Sequence, residues 1–189
     1  MNKFIICCDM DNVLNNLTER TLEMYNDKYG TNYTLEDVHA YDFEESFHIE
    51  EAENMKKLFL EKELWDSLIP VEKAQWGLKY LINSGYDVYI VTATEALNFS
   101  WKVKWMKQYF PFVDEKNIIR IHNKSLIAAD VLIEDCYENL TNSNCFTERV
   151  LLDCPWNQSN KDYIYGINRA YNWEDVVRFV NKIYKDLEW

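Results

Sequence analysis

A short apolar run near the start of the chain ends abruptly in two acidic residues. Residues 4–8 are unbroken apolar sequence, which is typical of a strand covered on both faces in a parallel sheet. Asp9 and Asp11 follow directly, and carboxylates so close to a core need a partner, a metal or an open sheet edge. Because ligands bind at the carboxyl ends of strands in open α/β sheets, the pair predicts a functional site there. An aspartate that merely caps a turn is the simpler alternative.

Four further apolar runs follow along the chain, and helical patterns lie between them. The runs occupy residues 86–91, 117–121, 131–133 and 149–152. Apolar side chains recur at helical spacing in residues 71–82, 97–105 and 176–187, and Asn172 is the expected N-cap of the last helix. Strands that alternate with helices indicate an α/β fold with a five-stranded parallel sheet and helices on both faces.

One interval does not follow this alternation. Between about residues 15 and 69 the sequence has acidic helical patterns, at 18–29 and 50–64, and no convincing strand. A segment of that length is too long for an ordinary loop, so we predict a helical insertion over the carboxyl end of the first strand. The predicted organisation is an α/β core of residues 1–14 and 70–189 with a small helical cap of residues 15–69.

Composition and charge restrict the function classes. The 189 residues carry a net charge of −12 and are 48% hydrophobic, which fits one domain with a sizeable core and argues against binding a nucleic-acid polymer. We interpret the densest basic cluster, Lys102, Lys104 and Lys107, as one solvated helix face. The sequence shows no signal peptide, membrane span or C-x-x-C pair. The expectation is therefore a reduced, cytoplasmic protein that does not contact a membrane.

Polar groups also stand at the ends of the next three predicted strands. Thr92 ends the second run, Lys124 follows the third, and Glu134 and Asp135 end the fourth. Taken alone, Thr92 is as easily a helix cap, and a lone lysine is more often solvated. Two acidic pairs at one sheet edge repel each other unless a cation lies between them, and Mg²⁺ takes carboxylate and carbonyl oxygens. The combination therefore predicts a Mg²⁺ site.

The combined pattern resembles the haloacid dehalogenase superfamily of phosphohydrolases. The resemblance covers the whole chain and rests on DMDNV at residues 9–13, VTA at 91–93, Lys124 and LIED at 132–135. Within the superfamily, the sequence is most similar to the 5'(3')-deoxyribonucleotidases of the cytosolic and mitochondrial type. That closer similarity rests on DMDNVLNNL at 9–17, NKSLIAADVLIED at 123–135 and WNQ at 156–158. Three residues depart from the family pattern: Glu134, His122 and Ala93 stand where Asp, Arg and Ser are expected.

The resemblance implies a Rossmann-like core that hydrolyses phosphate monoesters through an aspartyl-phosphate. Asp9 would be the nucleophile, and Asp11 would act as general acid and then general base. Thr92 and Lys124 would bind the phosphoryl oxygens. Mg²⁺ would be held by the Asp9 carboxylate, the Asp11 backbone carbonyl and Asp135.

The same resemblance places Leu17, Tyr41, Phe43 and Phe59 near the nucleoside pocket of the family, although aromatic residues on helices more often pack in a core. The expected substrate is a (deoxy)ribonucleoside monophosphate. Two alternatives stay open: a phosphatase of the same fold that acts on another small phosphoester, and a non-catalytic nucleotide-binding protein that retains the fold. The base, the sugar, the 5' or 3' position and the oligomeric state, with a homodimer as one option, also stay open.

Overall fold

The centre of the molecule is a parallel β-sheet. The computed structural model describes residues 3–142, 146–158 and 166–187, with Phe146 described by its backbone alone. The described strands are β1 (Ile5–Cys8), β2 (Asp87–Thr92), β3 (Ile118–Arg120), β4 (Ala129–Glu134), β5 (Phe146–Leu152) and β6 (Ile167–Ala170). They lie in the order β3-β2-β1-β4-β5-β6, and each neighbouring pair is parallel.

The first apolar run forms the central strand. Ile6, Cys7 and Cys8 of β1 are buried, because β1 is paired on one side with β2 and on the other with β4. From β1 the chain moves outward through β2 to β3, and it then returns to the opposite side of β1 with β4. The strand order therefore reverses between β1 and β4, which is where open α/β sheets form ligand-binding crevices.

The prediction of a five-stranded sheet is wrong by one strand. All five predicted strands are present, but β6 adds a sixth at the edge beside β5. Only Ile167 and Ala170 of β6 are buried, whereas Asn168 and Arg169 are half-buried. An edge strand of four residues with polar residues at its centre does not show the apolar run expected of a central strand.

Helices follow the strands as the patterns predict. The described helices are α1 (Leu17–Tyr29), α2 (Phe43–Ser46), α3 (Ile49–Leu58), α4 (Lys62–Ser67), α5 (Ala74–Asn83), α6 (Ala96–Tyr109), α7 (Tyr137–Thr141) and α8 (Trp173–Asp186). The predicted N-cap of α8 is confirmed, because the Asn172 side chain accepts a hydrogen bond of 2.9 Å from the backbone N–H of Asp175. Over the described ranges, no helix has the length and apolar character needed to cross a membrane.

Residues 15–69, the insertion segment, contain α1 to α4. The helical pattern predicted at 50–64 forms two helices, because α3 ends at Leu58 and α4 begins at Lys62. At this break the indole N–H of Trp65 donates a 2.9 Å hydrogen bond to the Phe59 carbonyl, which holds the turned chain. The apolar interior of the insertion segment is continuous with that of the sheet layer. Its interpretation as a separate cap domain stays a prediction.

A further correction concerns α6. The helix forms where predicted, but Leu97 is 56% exposed and Lys102 is only 1% exposed. The interpretation of Lys102, Lys104 and Lys107 as one solvated face is therefore wrong for Lys102. The Lys102 side chain is directed inward, where the carboxylate of Asp11 provides a counter-charge.

A close contact between α5 and α8 fixes the chain that follows β1. A Cβ on Gly77 would lie 2.4 Å from the ring of the fully buried Trp173, so this position requires glycine. The Trp173 indole N–H donates a 2.9 Å hydrogen bond to the Val13 carbonyl. This bond holds the loop that carries the second aspartate of the D-x-D motif.

Candidate active site

Charged and polar side chains converge at the carboxyl ends of the central strands. Asp9 follows β1, Thr92 ends β2, Glu134 ends β4 with Asp135 next to it, and Lys124 opens a 3-10 turn after β3. All five are at most 5% exposed. Together with Asp11 and Lys102 we call them the rim site. The structure thus brings together every residue that the sequence proposed for nucleophile, proton transfer, phosphate binding and metal binding.

Lys124 joins two acidic residues inside the rim site. Its Nζ lies 2.5 Å from Asp9 Oδ1 and 2.7 Å from Glu134 Oε2. Burial alone would lower the pKa of Lys124, but the charges and hydrogen bonds of Asp9 and Glu134 outweigh it and raise this pKa. Lys124 therefore carries a fixed positive charge beside the nucleophile candidate.

The carboxyl groups of Asp9 and Asp135 both have raised pKa values. Burial, and then the negative charge of Glu134, raises the pKa of Asp9 to about 7, although Lys124 opposes the shift. Burial, followed by the charges of Glu134 and Asp9, also raises the pKa of Asp135. Burial and mutual repulsion therefore favour the protonated forms of these acids, and a cation bound between them would lower both pKa values.

The Asp135 carboxylate is only half satisfied by the chain. Its Oδ2 accepts hydrogen bonds from Trp156 Nε1 at 3.1 Å and from Asn12 Nδ2 at 3.2 Å. Its Oδ1 is buried, and no described residue donates to it. The Asn157 side chain donates to the Asp135 carbonyl at 2.8 Å. The WNQ motif after β5 thus supports Asp135, a role that the sequence pattern had not indicated.

The geometry of these acids fits a divalent cation. One carboxylate oxygen from each of Asp9, Glu134 and Asp135 lies within 4.8 Å of the others. Both oxygens of Glu134 already accept hydrogen bonds, one from Lys124 and the other from Asn139. The free oxygen of Asp135 is therefore the clearest vacant ligand, and an all-oxygen donor set is the one that Mg²⁺ prefers.

Asp11 occupies a different position from the other acids. Its carboxylate is outside the group that could hold a metal, so the metal contact predicted for Asp11 is through its backbone carbonyl alone. Asp11 instead pairs with Lys102 and accepts a 3.1 Å hydrogen bond from Asn15 Nδ2. The chain turns at Asn12, whose φ of 58° is left-handed, a conformation that asparagine tolerates better than most residues. This turn presents Asp11 to the adjacent cavity.

Lys102 is the residue of the rim site that the sequence did not reveal. Its Nζ donates to Thr92 Oγ1 at 2.7 Å, pairs with Asp11, and lies 5.3 Å from the ring centroid of Trp65. A signal was present in the helical spacing. The buried stripe of α6 runs through Asn98, Lys102, Trp105 and Met106, so the apolar pair at its end predicts an inward direction for Lys102 one turn earlier.

A cavity of about 350 Å³ lies between the rim site and the insertion segment. The four residues predicted to contact the nucleoside all line it: Leu17, Tyr41, Phe43 and Phe59. Phe43 and Phe59 form a continuous aromatic wall, with ring centroids 6.3 Å apart, and Trp65 extends it at 6.4 Å from Phe59. Asp11 and Lys102 line the same cavity, as do His122 and Ala93, two of the departures from the family pattern.

Tyr41 connects the cavity to the acidic group. Half of its surface is exposed. Burial of its hydroxyl, and then the charges of Asp135 and Asp9, raise the pKa of Tyr41. Its hydroxyl therefore stays protonated.

A parallel α/β sheet whose strand ends carry D-x-D, threonine, lysine and an acidic pair defines a phosphatase of the haloacid dehalogenase type. Solved structures share this fold. A haloacid dehalogenase-like hydrolase from Streptococcus pneumoniae has a TM-score of 0.65 at 13% identity, over 94% of this chain and 98% of that one. A hydrolase of the same superfamily from Deinococcus radiodurans, solved with bound phosphate and sodium, has a TM-score of 0.63 at 13% identity, over 96% of each chain.

The chain belongs to the deoxynucleotidase family described as 5' nucleotidase, deoxy (pyrimidine), cytosolic type C protein, whose model matches residues 3–185. A 5'(3')-deoxyribonucleotidase from Clostridium acetobutylicum is 31% identical over 176 residues, which are 93% of this chain and 94% of the relative. A 5'(3')-deoxyribonucleotidase from Bacillus subtilis is 29% identical over 178 residues, 93% of this chain and 98% of the relative. The family predicted from the motifs is confirmed.

Proposed function

We propose that the protein is a Mg²⁺-dependent phosphomonoesterase that hydrolyses (deoxy)ribonucleoside monophosphates through an aspartyl-phosphate on Asp9. The observation that carries the proposal is the position of one cavity between a charged rim site and an aromatic wall. The rim site suits a phosphate group, and the aromatic wall suits a nucleobase. The relatives named 5'(3')-deoxyribonucleotidase support the same substrate class.

Two proton transfers accompany the proposed reaction. A carboxylate oxygen of Asp9 attacks phosphorus, and the bond from phosphorus to the nucleoside oxygen breaks as Asp11 gives that oxygen its proton. The Asp11 carboxylate then takes a proton from water, whose oxygen attacks the same phosphorus. The bond from phosphorus to Asp9 breaks, which releases phosphate and restores both aspartates.

Thr92 and Lys124 are proposed to bind the phosphoryl oxygens. Because Thr92 Oγ1 accepts a hydrogen bond from Lys102, its own hydroxyl hydrogen is available for a phosphoryl oxygen. Lys124 is held at 2.5 Å from Asp9, so its charge offsets the repulsion between the nucleophile and the incoming phosphate.

Mg²⁺ is proposed to be held by the carboxylates of Asp9 and Asp135 and by the Asp11 backbone carbonyl, with Glu134 behind them. When bound, the ion would supply positive charge to the phosphoryl oxygens during phosphoryl transfer. Asp135 Oδ1, which accepts no hydrogen bond from the described part of the chain, supports this assignment. So does the charge balance, because the carboxylates of the rim site outnumber its ammonium groups before a phosphate dianion is added.

The insertion segment is proposed to act as a cap that binds the nucleoside through Leu17, Tyr41, Phe43 and Phe59. A volume of about 350 Å³ is within the range of small-molecule sites. Stacking of a base on an aromatic side chain contributes about 1–3 kcal/mol, enough to separate nucleotides from phosphoesters that lack a base.

A phosphate-release screen tests the proposal. The substrates would be ribo- and deoxyribonucleoside 5'- and 3'-monophosphates, sugar phosphates and p-nitrophenyl phosphate, each with and without Mg²⁺. We expect nucleoside monophosphates with Mg²⁺ to give the highest kcat/KM, by at least about tenfold over sugar phosphates. A sugar phosphate that equals the best nucleotide would instead favour a phosphatase for another small phosphoester, and no release from any nucleotide would contradict the proposal.

A further inference from the structure

We propose that Lys102 is the positioning residue for the proton-transfer carboxylate of Asp11. This inference rests on the proposed function, which assigns both proton transfers to Asp11. It concerns how that carboxylate is held in place, and it is carried by the contacts of a lysine that is almost completely buried.

The location of Lys102 demands an explanation. At 1% exposure, an ammonium group loses its hydration, and this cost must be met by charges and hydrogen bonds inside the protein. The neighbouring lysines of α6 meet no such cost, because the side chains of Lys104 and Lys107 are 62% and 60% exposed. Of the three lysines in this stretch of α6, Lys102 is thus the one whose charge lies inside the cavity wall.

Two contacts fix the ammonium of Lys102 independently of Asp11. One N–H donates to Thr92 Oγ1 at 2.7 Å, and Thr92 is a fully buried residue at the end of β2. The ammonium also lies 5.3 Å from the ring centroid of the buried Trp65 in α4, within the range of a cation–π contact. These anchors belong to the sheet and to the insertion segment, so they hold the ammonium from two sides.

The anchored ammonium in turn holds Asp11. Asp11 Oδ2 pairs with Lys102, and Oδ1 accepts the 3.1 Å hydrogen bond from Asn15. Asn15 belongs to the same short loop as Asp11, whereas Lys102 reaches it from α6. Lys102 is therefore the contact that ties the Asp11 carboxylate to the rest of the site. The arrangement parallels the one at Asp9, which is held by Lys124, so each aspartate of the D-x-D motif has its own buried lysine.

Loss of Lys102 should affect formation and breakdown of the aspartyl-phosphate to different extents, depending on the leaving group. A nucleoside oxygen leaves well only if Asp11 delivers a proton to it. The p-nitrophenolate ion is stable near neutral pH and leaves without that proton. Attack of water on the aspartyl-phosphate needs Asp11 in both cases. A misplaced Asp11 should therefore slow formation of the intermediate from nucleotides only, and slow its breakdown for both substrates.

The test is Lys102→Met, assayed with Mg²⁺ on the best nucleotide and on p-nitrophenyl phosphate. We expect kcat/KM for the nucleotide to fall about 100-fold, the scale of a misplaced catalytic group. For p-nitrophenyl phosphate, kcat/KM should stay within about threefold of the parent. Because breakdown of the aspartyl-phosphate becomes rate-limiting, kcat and KM should both fall. A burst of about one nitrophenol per active site should then appear. A merely structural role predicts equal losses of kcat/KM on both substrates and no burst.

Lys107→Met is the matched control, because it removes a lysine from the exposed side of the same helix. It should leave both substrates within about twofold of the parent. Lys102→Arg keeps the charge, so we expect kcat/KM to fall less for the nucleotide than in Lys102→Met, but still more than for p-nitrophenyl phosphate. This variant decides the question if Lys102→Met does not fold.

Equal losses of kcat/KM on the two substrates, or an unchanged kcat/KM for the nucleotide, would overturn the role of Lys102. Failure of the proposed function itself has a different signature. In that case the parent protein would release no phosphate from nucleotides in Mg²⁺, before any variant is compared.

Discussion

In the rim site all charged side chains except that of Asp11 are buried, and contacts with other elements hold them in place. The facing wall of the insertion segment is aromatic and partly open. Asp9 and Lys124 are at most 5% exposed and joined at 2.5 Å, but Tyr41 on the opposite wall is 50% exposed. Phosphoryl transfer needs charged groups at fixed positions, whereas recognition of a base needs only a flat apolar surface. The two walls of the cavity therefore suit different tasks.

This difference predicts how substitutions should behave. A change in the rim site should lower kcat for every phosphoester, because the reacting group is common to all of them. A change in the aromatic wall should impair only substrates that carry a base. Comparing a nucleotide with p-nitrophenyl phosphate on the same variant separates the two effects.

The largest effect is expected for Asp9→Asn. The amide cannot serve as the nucleophile, so we expect turnover of both substrates to fall by at least about a thousandfold with the protein still folded. Steady-state assays and a melting curve check this. Asp66→Asn, at an exposed carboxylate of α4, is the control and should be unchanged. Turnover of Asp9→Asn within about tenfold of the parent would remove Asp9 from the mechanism.

The next largest effect on turnover is expected when the metal is removed. Because burial and mutual repulsion destabilise the charged forms of Asp9 and Asp135, we expect EDTA to reduce turnover of both substrates by at least about a hundredfold and excess Mg²⁺ to restore it. Ca²⁺ should restore little, since its looser coordination does not keep the reacting groups aligned. Full activity in a chelated sample would contradict the metal site.

Tyr41→Ala should impair the nucleotide far more than p-nitrophenyl phosphate. If Tyr41 stacks on the base, a loss of about 1–3 kcal/mol raises KM for the nucleotide about 5- to 150-fold and leaves p-nitrophenyl phosphate nearly untouched. The melting temperature should change little, because the side chain is half exposed. Equal damage to both substrates would argue against a recognition role for the aromatic wall.

Phe43→Ala is the companion variant and should behave differently. Phe43 is 6% exposed and packs against Phe47 and Phe59, so truncation should cost about 3–5 kcal/mol of stability in addition to any effect on KM. A melting curve beside the two-substrate assay separates these contributions. A Phe43→Ala protein that melts like the parent would show that this ring does not support the fold.

The smallest effect is a pH dependence of stabilisation by Mg²⁺. Folding raises the pKa of Asp9 from its ordinary value of 3.8 to about 7, so this group favours the metal-free folded state below pH 4, and that contribution is lost as the pH rises through 7. Metal binding needs the deprotonated acids. The rise in melting temperature caused by Mg²⁺ should therefore be several degrees larger at pH 8 than at pH 5.5, and an equal rise at both would contradict the raised pKa.

Apart from Lys102, the rim site could be predicted from the sequence because strand ends fix where its residues lie. A buried strand that stops at Asp9 and another that stops at Glu134 must bring these acids to the same edge of a parallel sheet. Short local patterns were sufficient there, and the Rossmann-like α/β core followed from the same strands.

Other features depend on packing that local patterns do not encode. The helical spacing of α6 indicates that Lys102 points inward, but only the tertiary position of α6 makes it a partner of Asp11. The edge strand β6 is too short and polar to be recognised as a strand from its sequence. The helical pattern at 50–64 continues through the break between α3 and α4, which is held by the hydrogen bond from Trp65 to the Phe59 carbonyl. In each case tertiary contacts add to or override the local signal.

The most direct test of the proposed chemistry of the rim site is to look for phosphate on the protein. The enzyme would be mixed with Mg²⁺ and a nucleotide labelled in its phosphate, quenched in acid and mapped by mass spectrometry. We predict label on Asp9 in the parent and in Tyr41→Ala at saturating nucleotide, and none in Asp9→Asn. Label on another residue, or turnover of the parent with no covalent label at any quench time, would contradict nucleophilic attack by Asp9.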